Sequence, residues 1–249
     1  SEAIALAENG FEVSPRLATL VAADAERLSR HQPVAAYFLP DGTPLQVGDR
    51  LINAAYGASL RAMANEGAGV FYAGEIAEGI VATVRGFSRN PGVLSLGDLA
   101  AYEVKERAPV CATYRVYDVC GMGPPSSGAL TVGQILGLVS SHDLAALGPG
   151  DPEAWRLIGD ASRLAFADRG LYMADSDYVA VPVNGLTAPA YLAGRAELLN
   201  GDTALAEVSP GSPAFDHAGL WAPDQSLELP STSHVSIVDA AGNALSVTT

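Results

Sequence analysis

Residues 200–231 carry four prolines and repeated Gly and Asp with no hydrophobic period, and a clean two-residue alternation begins directly after them. That junction divides the chain. Everything before it must build a core from helical stretches, because Leu, Ile and Ala recur there at spacings of three and four. Everything after it reads as one β-hairpin. Val235 and Ile237 alternate with Ser236, Ala241-Gly242-Asn243 supplies the turn, and Leu245 and Val247 form the return strand. The expected organisation is a helix-rich portion over 1–199, a flexible connector over 200–231 and a hairpin over 232–249. The fold class is α+β, rich in helix.

Within the first portion the pattern predicts helices over 1–9 and 14–30, the second opened by Ser14-Pro15 as N-cap and first helical residue. Further helices are expected at about 50–66, 72–86, 130–138, 151–173 and 189–199. Ser95 with Asp98 three positions on starts a short one. Phe38 to Leu45 reads as a turn between short extended pieces, and Val110 to Met122 as extended chain. The best amphipathic helix is 151–173, through Trp155, Leu157, Ile158, Leu164, Ala165 and Phe166.

A chain of 249 residues, 49% hydrophobic and 17% charged, is globular and long enough for one large domain or two small ones. No apolar run approaches the roughly 18–20 residues needed to cross a bilayer, so no membrane partner is expected. The first residues read as helix with no leader, which is expected of a chain beginning inside a larger fold. A net charge of −14, from 14 basic and 28 acidic residues, excludes nucleic acid as a partner. Cys111 and Cys120 can pair only if their strands bring them together; two free thiols are the other reading. The four histidines are scattered and no Cys/His cluster has zinc spacing, so neither a metal nor a cofactor is expected.

Three places could carry chemistry. Gly123 and Gly128 have the separation of a phosphate-binding loop. However, Ala129-Leu130 stands where Lys-Ser/Thr is needed, and Pro124 and Pro125 lack N–H groups. A rigid turn capped by Ser126 or Ser127 is the better reading. Asp168, Asp175 and Asp177 with Arg169 lack the further oxygens and the glycine of a calcium loop, so pairing of Arg169 with a neighbouring carboxylate is expected. Thr232 is different, because it stands between a loose tether and a strand. Attack of its hydroxyl on the Ser231 carbonyl gives an ester that water can open. The product is a Thr with a free α-amine, whose ordinary pKa near 7.7–8.0 suits a general base. Ser231–Thr232 is therefore the expected cleavage site and Thr232 the catalytic residue. His234, two positions on, falls on the same side if the strand includes both, and is the candidate supporting residue.

Several segments together resemble the gamma-glutamyltranspeptidase family of N-terminal nucleophile hydrolases. They are Ala3-Ile4-Ala5-Leu6-Ala7-Glu8-Asn9-Gly10-Phe11, Phe71-Tyr72-Ala73-Gly74-Glu75-Ile76-Ala77, Leu99-Ala100-Ala101-Tyr102, Tyr114-Arg115, Pro124-Pro125-Ser126-Ser127-Gly128 and Ala165-Phe166-Ala167-Asp168-Arg169. The last are Thr232-Ser233-His234 and Asp239-x-x-Gly242-Asn243-Ala244. The resemblance implies part of an αββα sandwich, with 1–231 as the later part of a large subunit and 232–249 as the first hairpin of a small one. It also implies an autoprocessed enzyme that moves a γ-glutamyl group from glutathione or a related amide to water or an amino acceptor. Its nucleophile would be Thr232. The family's carboxylate-binding arginine would lie upstream of Ser1 and its oxyanion glycines beyond Thr249, so the isolated chain is expected to be inactive. Its partners would be a small γ-glutamyl substrate, the remaining segments of its own precursor and, through exposed sheet surface, a second copy in a homo-oligomer. Relatives of this kind imply a periplasmic or secreted location. Two rivals stay open: an acylase cutting glutaryl or related side chains from β-lactams, and a non-catalytic binding or structural homologue.

Overall fold

A computed structural model describes residues 1–215, 221–225 and 232–248. The chain forms two compact units, Ser1–Lys105 and Glu106–Thr249. Their boundary falls within the helix-rich stretch, where no shift in composition marks it.

The first unit holds helices α1 (Glu2–Asn9), α2 (Pro15–Ala23), α3 (Ala25–Leu28), α4 (Gln32–Phe38), α5 (Ala54–Glu66), α6 (Gly69–Tyr72), α7 (Glu75–Gly86) and α8 (Leu96–Ala100). Phe11–Glu12 (β1) and Arg50–Leu51 (β2) pair antiparallel beside them. Val13, Leu45 and Leu51 are its buried core, with Leu17, Tyr37 and Phe38 packed around. Helix α1 lies close on α5 because Gly57 leaves no room for a larger residue: a Cβ there would stand 2.7 Å from Glu8 Cγ. The Glu8 carboxylate takes both Nε and Nη2 of Arg61 across that contact, and this pairing lowers its pKa. Ser95 and Asp98 form the complete capping box, the side chain of each bonded to the other's backbone N–H.

Two expectations change here. The stretch 14–30 is not one helix, since it breaks at Asp24, whose carboxylate is taken up by Arg27. The segment before the Pro40 turn is helical and not extended. Pro33 sits in the first turn of α4, where a missing N–H costs nothing.

The second unit holds α9 (Gly128–Leu138), α10 (Leu144–Leu147), α11 (Pro152–Tyr172), α12 (Val183–Leu186) and α13 (Pro189–Ala196), with hairpins β3 (Val110–Tyr114)–β4 (Tyr117–Gly121) and β5 (His234–Val238)–β6 (Ala244–Thr248). The extended region 110–122 thus folds back on itself through Arg115, a non-glycine residue at φ 57°. Cys111 pairs directly opposite Cys120, and the two form a disulfide, which closes the free-thiol reading. Leu138, Val139, Leu157, Ala161, Leu164, Leu192 and Leu199 form the main core around α11. Each buried Leu or Val there contributes about 1.5–3 kcal/mol.

The inner face of α11 differs from the sequence reading. Trp155 and Phe166 are 62% and 52% exposed, whereas Ala154, Leu157, Ala161, Leu164 and Ala165 are buried. Asp160 and Asp168 are buried among them, at 2% and 1% exposure. The helix-rich α+β architecture is as expected, with the strands among the described residues present as three two-stranded pieces.

Candidate functional site

Thr232 is exposed and stands two residues before β5. The strand begins at His234, so the alternation that was to set Thr232 and His234 on one side does not reach back to Thr232. His234 is held instead by its own hairpin. Its Nδ1 lies 2.8 Å from Thr248 Oγ1, and its Nε2 lies 3.0 Å from Ser236 Oγ and 3.2 Å from Ser246 Oγ. The register His234↔Thr248 and Ser236↔Ser246 puts these four polar side chains on one face of the ribbon. Val235, Ile237, Leu245 and Val247 make the other face, and all four are exposed. Ser231, the other side of the expected cut, lies outside the described residues, as does Thr249.

The turn that joins β5 to β6 is locked by Asp239. Its Oδ1 accepts from the backbone N–H of Ala241 and of Asn243, at 2.9 and 2.8 Å, and its Oδ2 from Asn243 Nδ2 at 2.8 Å. Gly242 supplies the left-handed residue, at φ 85°. The Asn243 side chain first, then these backbone donors, lower the Asp239 pKa from its ordinary 3.8. A depressed folded pKa contributes stability that is complete above 3.8 and lost as pH falls through the lower folded value. Amide exchange at Ala241 and Asn243 should therefore quicken below that value, and an Asp239→Asn variant should show no such step.

Asp168 is a heavily bonded buried group of the second unit. Its Oδ2 accepts from Gln134 Nε2 (2.9 Å) and the Tyr191 hydroxyl (2.7 Å); its Oδ1 accepts from Arg195 Nη2 (3.1 Å) and the backbone N–H of Gly211 (2.8 Å). That uses the acceptor capacity of an ionised carboxylate fully. Burial first, then the adjacent Asp168, raises the Tyr191 pKa, so Tyr191 stays a donor. Arg195 Nη2 also reaches the carbonyls of Leu164 and Ser209. About two turns of helix earlier, Asp160 plays a smaller version of this part. It accepts from the Leu205 N–H at 3.0 Å and from Arg163 at 3.1 Å, with Arg156 at 3.5 Å.

Other sequence expectations fall differently. Arg169 Nε donates to Ser127 Oγ at 3.0 Å. Ser127 holds the N-cap position of α9, but it makes no side-chain cap bond there. Asp177 pairs with Arg107 at 2.9 Å, while Asp175 caps the local turn by accepting from the Asp177 N–H. Among the described residues, no group of three or more His, Cys, Asp or Glu side chains stands together as a metal site would require.

The family model for gamma-glutamyltranspeptidase matches residues 1–249. The chain belongs to the gamma-glutamyltranspeptidase family. Among curated relatives, the glutathione hydrolase proenzyme of Escherichia coli K12 is 37% identical over 248 residues, 99% of this chain and 40% of its own length. The acylase ACY 1 proenzyme of Pseudomonas sp. strain V22 is 36% identical over 247 residues, again 99% of this chain but 41% of the relative. The crystal structure of Helicobacter pylori gamma-glutamyltranspeptidase superposes with a TM-score of 0.77 at 36% identity, covering 84% of this chain and 60% of that one. This gamma-glutamyltranspeptidase-family chain thus spans about two fifths of the length of these curated relatives.

Sequence reasoning missed the partners of Asp160 and Asp168 in this family member. A signal was present: two acidic residues eight apart fall on the Leu157–Ala161–Leu164 face of an otherwise apolar stripe. A carboxylate on such a face needs dedicated donors.

Proposed function

We propose that the chain is part of a gamma-glutamyltransferase or glutathione hydrolase whose nucleophile is Thr232. The family match across all 249 residues, to a family whose curated relatives are named proenzymes, supports this reading, beside the position of Thr232 just ahead of a β-hairpin. In the first step the Thr232 hydroxyl attacks the Ser231 carbonyl, the acyl group passes from N to O, and water opens the ester. The Ser231 carboxylate and the Thr232 α-amine are the products. In turnover that amine takes the Thr232 hydroxyl proton as the oxygen attacks a γ-glutamyl amide, and returns it to the departing amine. The γ-glutamyl ester is then passed to water or to an amino acceptor. His234, fixed by three hydroxyls of its hairpin, supports the strand that follows the nucleophile.

In this reading residues 1–199 are the helix-rich part of the large subunit, 200–231 the connector and 232–249 the opening hairpin of the small one. Its partners are a γ-glutamyl compound such as glutathione, a second copy of the protein, and the remaining segments of its precursor, which would cover the exposed Val235, Ile237, Leu245 and Val247 face. The Cys111–Cys120 disulfide supports a periplasmic or secreted location, where such bonds persist. Among the described residues, no helix is long and apolar enough to cross a membrane.

The 36% identity to an acylase supports a second reading, in which the same nucleophile cuts glutaryl side chains. The test is mass spectrometry of the mature precursor with parallel assays on γ-glutamyl and glutaryl anilides. The expected result is a lighter polypeptide beginning at Thr232 and faster release from the γ-glutamyl compound. A lighter polypeptide with any other first residue would sink the nucleophile. Preference for the glutaryl compound would select the acylase.

A further inference from the structure

We propose that the Cys111–Cys120 disulfide is a thiol-exchange site, served by a small peptide thiol that docks against the outer edge of β3. The site does not depend on Thr232 as nucleophile. Cys111 and Cys120 are both exposed, on the ribbon face turned away from α9. Ala112 and Gly121 face that helix, against Gly133 and Ala129. A cavity of about 460 Å³ lies beside one of the two cysteines: Cys111, Ala112 and Thr113 line it, and Cys120 does not. Successive side chains of a strand point to opposite faces, so three consecutive residues meet one cavity only along the strand's edge. The inner edge of β3 is paired with β4, which leaves the outer one. Across the cavity stands α13, at Ala193, with α9 contributing Gly137.

That outer edge carries open hydrogen-bonding groups. The two-residue turn Arg115-Val116 makes Tyr114↔Tyr117 a hydrogen-bonded pair and, by alternation, Ala112↔Val119 another. Cys111 and Thr113 fall in the alternate pairs, whose N–H and C=O groups point out of the ribbon. The Cα atoms of Cys111 and Cys120 are 4.0 Å apart, the close spacing of such a pair. Among the described residues, neither Cys111 nor Thr113 has a backbone partner beyond the ribbon. An extended peptide satisfies groups of this kind by pairing as an added strand. Exposed Glu197 on the rim supplies a negative charge for the amine of that peptide. The volume lies within the roughly 300–1,000 Å³ usual for small-molecule sites.

The same placement selects the sulfur. A thiolate displaces sulfur in line with the S–S bond, which here crosses from β3 to β4. Approach to Cys111 Sγ therefore comes from the outer side of β3, where the cavity is. The incoming thiolate bonds Cys111 Sγ, the disulfide breaks, and Cys120 departs as a thiolate that takes a proton. A second thiolate then attacks the ligand's sulfur in the mixed disulfide and releases Cys111. Two external thiols are oxidised to one disulfide, and the ribbon's disulfide is reduced to two thiols.

The test uses the oxidised precursor carrying Thr232→Ala, so that turnover does not consume the probe. Reduced glutathione and 2-mercaptoethanol are supplied at equal thiolate concentration, the reaction is stopped by alkylation, and the adducts are placed by peptide mass mapping. Glutathione should open the disulfide roughly 10-fold faster or more, with its first adduct on Cys111. Ala193→Trp fills the cavity from an exposed position of α13. It should bring glutathione down to the rate of 2-mercaptoethanol and leave the latter within about twofold of its former value. Reactivity set by exposure alone would give the two thiols equal rates, and that result would overturn the proposal. A first adduct on Cys120, or an undiminished glutathione rate in Ala193→Trp, would do the same. If Ala193→Trp does not fold, the comparison of the two thiols and the position of the adduct still decide the question.

Discussion

Thr232→Ala should leave the precursor as one uncut polypeptide with no measurable turnover. The residue supplies two functions in this mechanism: the oxygen that attacks and, once exposed, the amine that takes the proton. Alanine removes the oxygen from both scission and turnover. Loss of a nucleophile commonly costs several powers of ten, and here the missing cut withholds the base as well. Thr232→Ser keeps a hydroxyl on the same backbone position, so it should still be cut and should turn over more slowly. A denaturing gel and a γ-glutamyl anilide assay separate the outcomes. Persistent cleavage or turnover in Thr232→Ala would remove Thr232 from the chemistry.

The second large effect concerns stability. Asp168→Ala should destabilise the second unit by about 3–5 kcal/mol, because it strands the partly buried Arg195 guanidinium together with three other donors. Arg195 Nε is already buried without a hydrogen-bond partner, and the guanidinium would keep only the carbonyls of Leu164 and Ser209. A loss of that size is a large share of the roughly 5–15 kcal/mol that holds a domain folded. It should lower the melting temperature by about 10 °C for a unit of this size. Removing both charges together, with Asp168→Leu and Arg195→Met, should recover part of the loss, since an apolar pair needs no donors. A melting temperature unchanged in Asp168→Ala would show that the carboxylate is not ionised and paired as its geometry indicates.

How far the sequence could be read depended on whether each feature is local. The β5–β6 hairpin was legible because a period of two, a turn aspartate and Gly242 lie within fifteen residues. The ends of α11 were legible for the same reason: Asp151-Pro152 opens the helix, and its pattern stops near Tyr172. Its inner face was not. Large aromatics at Trp155 and Phe166 outweighed Ala154, Ala161 and Ala165 in any hydrophobicity count. Yet α9 packs closely on β3 where side chains are small, and a Cβ on Gly133 would stand 2.9 Å from Ala112 Cβ. The Cys111–Cys120 pairing depended on strand register, which Arg115 sets with a backbone conformation seldom taken by arginine. The Asp168 cluster joins residues 134, 168, 191, 195 and 211, and no window of sequence brings those five together.

One bond has a practical corollary for anyone preparing this polypeptide. The link between Cys111 and Cys120 encloses a ring of about ten residues, a closure that contributes about 2–3 kcal/mol by restricting the unfolded ensemble. Batches accumulated in a reducing bacterial cytosol and batches exported through an oxidising compartment would accordingly differ in how firmly the ribbon beside α9 holds together. Dithiothreitol in a storage buffer would turn the second kind of material into the first.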